Sequence, residues 1–251
     1  MKLESNTILI TGGTSGIGRG LAEAFHKLGN KVVIAGRRQN LLDEVAKANP
    51  GIEALQLDLE DTAGITNFAE TVTQKYPQLN VLINNAGVAK YENWTDGELN
   101  MDEIVSTIDT NITSVIRLTA ALLPVLRTQK NATIMATTSG LAFVPLTKAP
   151  TYSATKAFLH SWLQSIRFQL DGTVEVLELP PPYVATELGG QAQAEDPRAM
   201  PLSEYVEEVI SILKNSNIEA GEILVERVRE LRVAERTNQY EKTFKTLNAM
   251  F

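Results

Sequence analysis

The chain has 251 residues, 43% of them hydrophobic, enough to bury one sizeable core. It has no cysteine, which excludes disulfides, thiolate zinc sites and a cysteine nucleophile. Its net charge of -7 is scattered rather than blocked, which argues against nucleic acid or an anionic membrane as the main partner. The two histidines, His26 and His160, fall in helical patterns and read as surface or packing residues, so no metal site is expected. Met1 to Asn6 runs directly into an apolar β-branched stretch, without a signal region or a bilayer-length apolar run, and a soluble cytoplasmic protein is expected.

Short apolar runs then alternate with helical patterns. Thr7 to Thr11 reads as a strand, and Gly16 to Leu28 as a helix ended by Gly29-Asn30. Lys31 to Ala35 is the next strand, and Leu41 to Ala48 a helix stopped by Asn49-Pro50. Strands at Ile52 to Leu57 and Val81 to Ile83 flank a helix at Ala63 to Lys75. A long helix is expected over about Met101 to Thr128, with a kink or early end at Pro124. Thr133 to Thr137 is a strand, Tyr152 to Leu170 a helix and Val174 to Leu179 a strand. A Pro-rich loop, a helix near Ser203 to Leu213 and a last strand at Glu222 to Val225 follow. This alternation predicts an α/β, doubly wound Rossmann fold: a parallel sheet of about seven strands with helices on both faces, in one domain over residues 1–251. The charged tail from Glu226 to Phe251, with Val228, Leu231, Phe244 and Leu247 interleaved, is expected to be helical and to pack on this domain or on a partner subunit.

In such a sheet, ligands sit at the carboxyl ends of the strands where the strand order reverses. The run Thr11-Gly-Gly-Thr-Ser-Gly-Ile-Gly18 comes directly after the first strand. Gly12 permits a tight turn, Gly16 lets backbone approach a pyrophosphate, and Gly18 lets the helix pack close to the strand. The helix N-terminus offers free N–H groups to phosphates. The spacing is Gly-x-x-x-Gly-x-Gly, so for the loop alone a glycine turn without a ligand competes with this reading. An acidic residue to hold a ribose hydroxyl would fall about 20 residues later. The chain instead has Gly36-Arg37-Arg38, a pair suited to a 2′-phosphate, or else solvated loop charges. Asp58 could accept from an adenine amino group or cap the next segment.

Tyr152 and Lys156 stand one helical turn apart. A free tyrosine has a pKa of about 10, too high for ready proton exchange at neutral pH, and a neighbouring ammonium favours the phenolate. Asn84-Asn-Ala-Gly87, Asn111 and Ser139 lie upstream in order.

In these motifs the chain resembles the short-chain dehydrogenase/reductase family, from Thr7 to about Val225. The runs Ser139-Gly-Leu-Ala-Phe-Val-Pro145 and Glu178-Leu-Pro-Pro-Pro182 resemble the DltE-type oxidoreductase branch. The resemblance implies NADP(H), with NAD(H) an alternative, held by the loop residues Gly12, Thr14, Ser15, Gly16, Ile17 and Gly18 and by Arg37 and Arg38. Asp58 with Leu59 would take the adenine, and Asn85, Ala86 and Gly87 the adenosine ribose, while Asn84 supports the sheet. It implies a tetrad of Asn111, Ser139, Tyr152 and Lys156. Ser139 would polarise a carbonyl oxygen, and Tyr152 would donate a proton to it or take one back. Lys156 would lower the tyrosine pKa and hold the nicotinamide ribose, and Asn111 would position a water linking Lys156 to solvent. Pro182, Val184 and Thr186 would flank the carboxamide. Pro182 departs from the family pattern, standing where a glycine is usual, with fixed φ and no N–H.

The substrate is expected to be an apolar or aromatic ketone, aldehyde or diketone. It would be walled by Phe143, Val144, Pro145, Tyr91, Trp94, Leu188 and Tyr183, with Lys90 and Lys148 nearby. Residues Gly189 to Met200 are expected to be mobile without ligand. An NAD-dependent alcohol dehydrogenase and a non-catalytic nucleotide sensor are the alternatives. Family members are usually homodimers or homotetramers, and the same is expected here.

Overall fold

The computed structural model describes residues 1–95 and 98–251. Six parallel strands form one sheet in the order β3-β2-β1-β4-β5-β6. They are β1 (Thr7–Thr11), β2 (Lys31–Gly36), β3 (Glu53–Gln56), β4 (Val81–Asn84), β5 (Thr133–Thr137) and β6 (Glu175–Leu179). The order reverses between β1 and β4, which are paired Ile8 to Val81, Leu9 to Leu82 and Ile10 to Ile83. The first glycine loop and the Asn84–Gly87 run therefore leave the sheet side by side.

Alternation along the strands builds two apolar layers, because successive side chains point to opposite faces. Ile8, Ile10, Val32, Ile34, Val81 and Ile83 pack with Leu21 and Phe25 of α1 (Gly16–Lys27) and with Tyr205 and Val209 of α8 (Leu202–Lys214). Leu42 and Val45 of α2 (Gln39–Ala48) join that layer. Leu9, Val33, Leu82, Ile134 and Ala136 face the other side. There they meet Ile65, Phe68 and Val72 of α3 (Thr62–Lys75), Leu118 and Leu122 of α5 (Ser114–Leu126) and Leu163 of α6 (Pro150–Gln169). Most of these side chains are fully buried, each stabilising the fold by about 1.5–3 kcal/mol against exposure.

The expected seventh strand is reduced to a single bridge. Glu222 pairs with Glu178, Ile223 N–H donates to Glu178 O at 2.9 Å and Glu178 N–H donates to Gly221 O at 2.8 Å. Left-handed backbone at Ala220 and Gly221 (φ 51° and 82°) turns the chain there and prevents a longer ladder.

The long helix breaks at a place its proline does not mark. After α4 (Met101–Ile108), residues Asp109–Thr113 form one π-helical turn before α5 begins. Pro124 lies inside α5, which continues to Leu126. Pro124 and Ala120 are both exposed, so the Ala120 carbonyl that lost its N–H partner faces water and the helix passes the proline. The segment expected to be mobile contains a short helix, α7 (Gln191–Ala194). Past Val225, two helices, α9 (Glu226–Val233) and α10 (Tyr240–Met250), fold back over the carboxyl ends of the strands. Among the described residues no helix is long and apolar enough to cross a membrane.

Candidate active site

Two cavities open at the carboxyl edge of the sheet. The smaller, about 440 Å³, lies between the glycine loop, the end of β2 and the end of β3. Gly12 (φ 68°) and Gly16 (φ 51°) adopt left-handed backbone that an L side chain rarely takes. A Cβ on Gly18 would stand 2.2 Å from Gly12 O, so only glycine allows α1 to start this close to β1. Thr14 is buried against Gly36, and Ser15 is the extended residue preceding α1, without a side-chain cap. Arg37, Arg38, Asp58, Leu59, Ala86 and Gly87 line this cavity. Arg37 and Arg38 are exposed and, among the described residues, form no ion pair. One oxygen of Asp58 already accepts from Glu60 N–H at 3.0 Å, so the capping role is present alongside its place in the cavity wall.

A residue that the sequence reading did not single out ties the two loops together. Thr11 Oγ1 accepts from the N–H groups of Asn85 and Ala86 at 3.0 and 3.1 Å. Asn85 Nδ2 donates back to Thr11 O at 3.2 Å, and its Oδ1 accepts from Thr137 at 3.2 Å. Asn84 is buried and donates to Thr119 Oγ1 at 3.0 Å.

The larger cavity, about 770 Å³, has Ser139 and Tyr152 on its floor. Ser139 follows β5 and caps a short 3₁₀ turn (Gly140–Ala142), accepting from Leu141 N–H at 3.1 Å. Tyr152 and Lys156 lie on α6, which starts with Pro150 in its first turn. All three side chains are buried. Burial pushes the Tyr152 phenol up to about 12, opposed by a hydrogen bond with Ser139. Burial also pulls the Lys156 ammonium down to about 8. Lys156 Nζ donates to Thr137 O at 2.8 Å and stands 5.6 Å from the Tyr152 ring centroid. The expected lowering of the phenol pKa by Lys156 is therefore not what the protein alone displays: the ammonium faces a backbone carbonyl, and desolvation dominates.

Asn111 sits in the π turn. Its Oδ1 accepts from Val88 N–H at 2.9 Å, and its Nδ2 donates to Val88 O at 2.9 Å and to Thr155 Oγ1 at 3.1 Å. A Cβ on Gly87 would lie 3.1 Å from Asn111 Oδ1 and 3.5 Å from Lys156 Nζ, so the missing side chain leaves a small space between them.

Ile17, Pro182, Val184 and Thr186 line the larger cavity. The Pro182 segment stays on path because Pro181 O accepts from Gly140 N–H at 2.8 Å. Gln193 of α7 holds the rest, donating to Val184 O at 2.9 Å and to Thr186 Oγ1 at 3.3 Å, while Gly189 N–H donates to its Oε1 at 2.9 Å. Lys90, Tyr91, Tyr183 and Leu188 line it as expected, joined by Leu141 and Leu146, whereas Pro145 and Lys148 are not in the lining. Phe143 is turned away, edge-on to His160 at 5.0 Å and beneath Arg232 at 4.9 Å. Val144 is fully buried in the interior, and Trp94 is exposed with its Nε1 donating to Glu92. The opposite wall comes from α9 and α10, through Leu231, Leu247, Met250 and Phe251.

Behind this floor lies a buried ionic cluster that sequence periodicity does not reveal. Glu178, fully buried on β6, accepts from Thr138 Oγ1 at 2.7 Å, and its Oε2 lies 2.8 Å from His160 Nδ1. Glu222 is 3% exposed and is gripped by both Nε and Nη2 of Arg232 on α9. His160 thus has a buried hydrogen-bond partner in addition to its packing role.

This sheet and these loops are those of the short chain dehydrogenases, whose family pattern matches residues 6–197. The chain belongs to that family of oxidoreductases. It is 39% identical to the uncharacterized oxidoreductase DltE of Bacillus subtilis (strain 168), over 99% of this chain and 98% of that one. It is 31% identical to the NADP-dependent 3-hydroxy acid dehydrogenase of Schizosaccharomyces pombe, over 74% of each chain. Its fold matches a short chain dehydrogenase from Burkholderia cenocepacia J2315, solved in complex with NADP. That match has a TM-score of 0.82 at 21% identity and covers 98% of this chain and 99% of that chain.

Proposed function

We propose that this protein reduces a carbonyl to an alcohol with NADPH, the carbonyl lying on the floor of the larger cavity. The observation that carries the reading is the convergence of Ser139 and Tyr152 on that floor, under mainly apolar walls, with the buried Lys156 ammonium 5.6 Å from the Tyr152 ring. Two of the groups hold the right charge at neutral pH. A phenol near 12 is a proton donor, and an ammonium near 8 is mostly cationic.

The two cavities fit a dinucleotide phosphate. The first loop has glycine where a side chain would clash, and the N-terminus of α1 opens beside it, suited to a pyrophosphate. Arg37 and Arg38, free of acidic partners among the described residues, suit a 2′-phosphate; Arg37 can present its planar fork to two oxygens. Thr14, Ser15, Asp58, Leu59, Asn85, Ala86 and Gly87 would flank the adenosine half. Ile17, Pro182, Val184 and Thr186 would flank the nicotinamide. When bound, that group supplies the hydride. Ser139 orients and polarises the carbonyl oxygen, and Tyr152 gives its proton to that oxygen. Lys156, held by Thr137 O, keeps a positive charge beside the phenol ring, which stabilises the phenolate left by transfer. Asn111 fixes Val88 and Thr155 and borders the space beside Lys156 through which a water could return the proton.

Replacing Arg37 by Ala is expected to reduce the preference for NADPH over NADH by about tenfold or more, because one charge-assisted phosphate contact contributes about 1.5–3 kcal/mol. The ratio of kcat/KM with the two cofactors measures this, and an unchanged ratio removes Arg37 from the site.

We also propose a homodimer or homotetramer through α4 and α6. Met101, Val105, Ile108, Phe158 and Phe168 are exposed on these helices, Phe168 by 87%. Sedimentation should give a species of at least twice the monomer mass in the wild type, and Phe158→Asp should shift it towards monomer. A monomeric wild type would contradict this.

A further inference from the structure

We infer that Phe251 forms the end wall of the substrate cavity and sets the length of the apolar group that the reacting carbonyl can carry. This rests on the carbonyl-reductase reading above. Phe251 packs against the buried cluster of Leu146, Ala149 and Tyr152, the cluster that contains the proton donor itself. Its ring centroid lies 4.8 Å from that of Tyr183, edge to face at 76°, and the Arg198 guanidinium caps it at 5.1 Å.

The ring is held in place by the loop that leads into the catalytic helix. Asn248 Nδ2 donates to Pro145 O at 3.1 Å, and Thr147 N–H donates to Asn248 Oδ1 at 2.6 Å. Lys148 Nζ donates to the backbone O of Phe251, and Arg198 donates to the backbone O of Met250. Four hydrogen bonds therefore anchor residues 248–251, and the Phe251 ring they carry packs against the Tyr152 cluster. Beside it stand the apolar Leu231, Leu247 and Met250, with Arg227 and Glu230 of α9 farther along the lining. Arg198 presents no spare charge to a ligand, because Asp196 Oδ2 lies 2.6 Å from its Nη2. A ligand reaching the Phe251 ring meets carbon, which favours an alkyl or aryl substituent there and stops it at the ring.

The test is a series of methyl ketones from butanone to decanone, with NADPH, on the wild type, Phe251→Ala and Phe251→Trp. The ratio of kcat/KM for decanone to that for butanone should rise about tenfold or more in Phe251→Ala, the scale on which a few methylenes are discriminated in an apolar pocket. The same ratio should fall in Phe251→Trp, an opposite sign that general destabilisation cannot produce. Parallel profiles in the three proteins would overturn the proposal. If the wild type turns over no carbonyl, the reductase reading fails, and the wall is then judged by binding of the neutral dye Nile red to the NADPH-loaded proteins. Tighter binding in Phe251→Ala and weaker binding in Phe251→Trp would support the wall, and equal affinities would overturn it.

Discussion

Replacing Tyr152 by Phe is expected to lower kcat for carbonyl reduction by about 10³-fold, within the range that general acid catalysis contributes. NADPH affinity should change by less than about twofold, since the substitution removes one oxygen and leaves the packed ring in place. The geometry supports so large an effect because Ser139 and Tyr152 are buried, hydrogen-bonded hydroxyls that both line the cavity. On the mechanism proposed above, loss of the phenol would leave Ser139 to polarise the carbonyl but remove the group that protonates the alkoxide. Activity within tenfold of wild type would refute the assignment. The pH profile carries the complementary evidence. With the phenol near 12 and the ammonium near 8, the donor stays protonated across the accessible range while the lysine loses its charge first. The kcat/KM for reduction should hold below pH 8 and decline above it, as the positive charge that stabilises the phenolate disappears. A decline on the acid side of pH 7 would mean that another group controls the step.

The second large effect concerns stability. Arg232→Met is expected to destabilise the fold by about 3–5 kcal/mol, the cost of leaving a buried carboxylate unpaired. Glu222 is almost wholly buried, and one of its carboxylate oxygens, one of Glu178 and a ring nitrogen of His160 lie within 4.8 Å of one another. Without the guanidinium, two interior carboxylates face each other, with Arg167 the remaining nearby arginine. At about 2–4 °C per kcal/mol for a chain of this size, the melting temperature should fall by on the order of 10 °C. Adding Glu222→Gln to Arg232→Met should recover part of the loss, because it removes the orphaned charge. A fall of only one or two degrees would show that water reaches the cluster and screens it.

What the sequence made legible is what periodicity and local chemistry encode. The short apolar runs became β1 through β6, and the glycine loop, Asn111, Ser139, Tyr152 and Lys156 lie together at the carboxyl edge of the sheet. Features that depend on long-range packing were not legible. A proline is a local signal, so Pro124 drew the expected break, yet its solvent-facing position lets the helix pass, and the irregular turn came at Asn111. Phe143 looked like a pocket wall because it is apolar and near Ser139, but the pairing of Arg232 with Glu222 supplies a cation over its ring on the far side. Gln193 had no motif to mark it, since its role is to fasten backbone already placed by other contacts. The helices past Val225 were legible as helices, but their place over the cavity depends on partners about a hundred positions away, such as Pro145 for Asn248. The phenol of Tyr152 moves opposite to the simple expectation because burial outweighs a cation whose hydrogen bond goes elsewhere.

The π turn at residues 109–113 also acts as a phase shifter. One additional residue in a helical turn rotates everything after it by about 100° relative to an unbroken helix. Ahead of the turn, Met101, Val105 and Ile108 point outward; beyond it, Leu118, Leu122 and Val125 point into the interior. A single-residue deletion that restored regular winding would force a choice. Either the interior stripe rotates away from the sheet, or Asn111 gives up Val88 and Thr155. The register of the hydrophobic layer and the placement of a polar side chain beside Lys156 are thus locked to one angular offset, and neither can be tuned without the other.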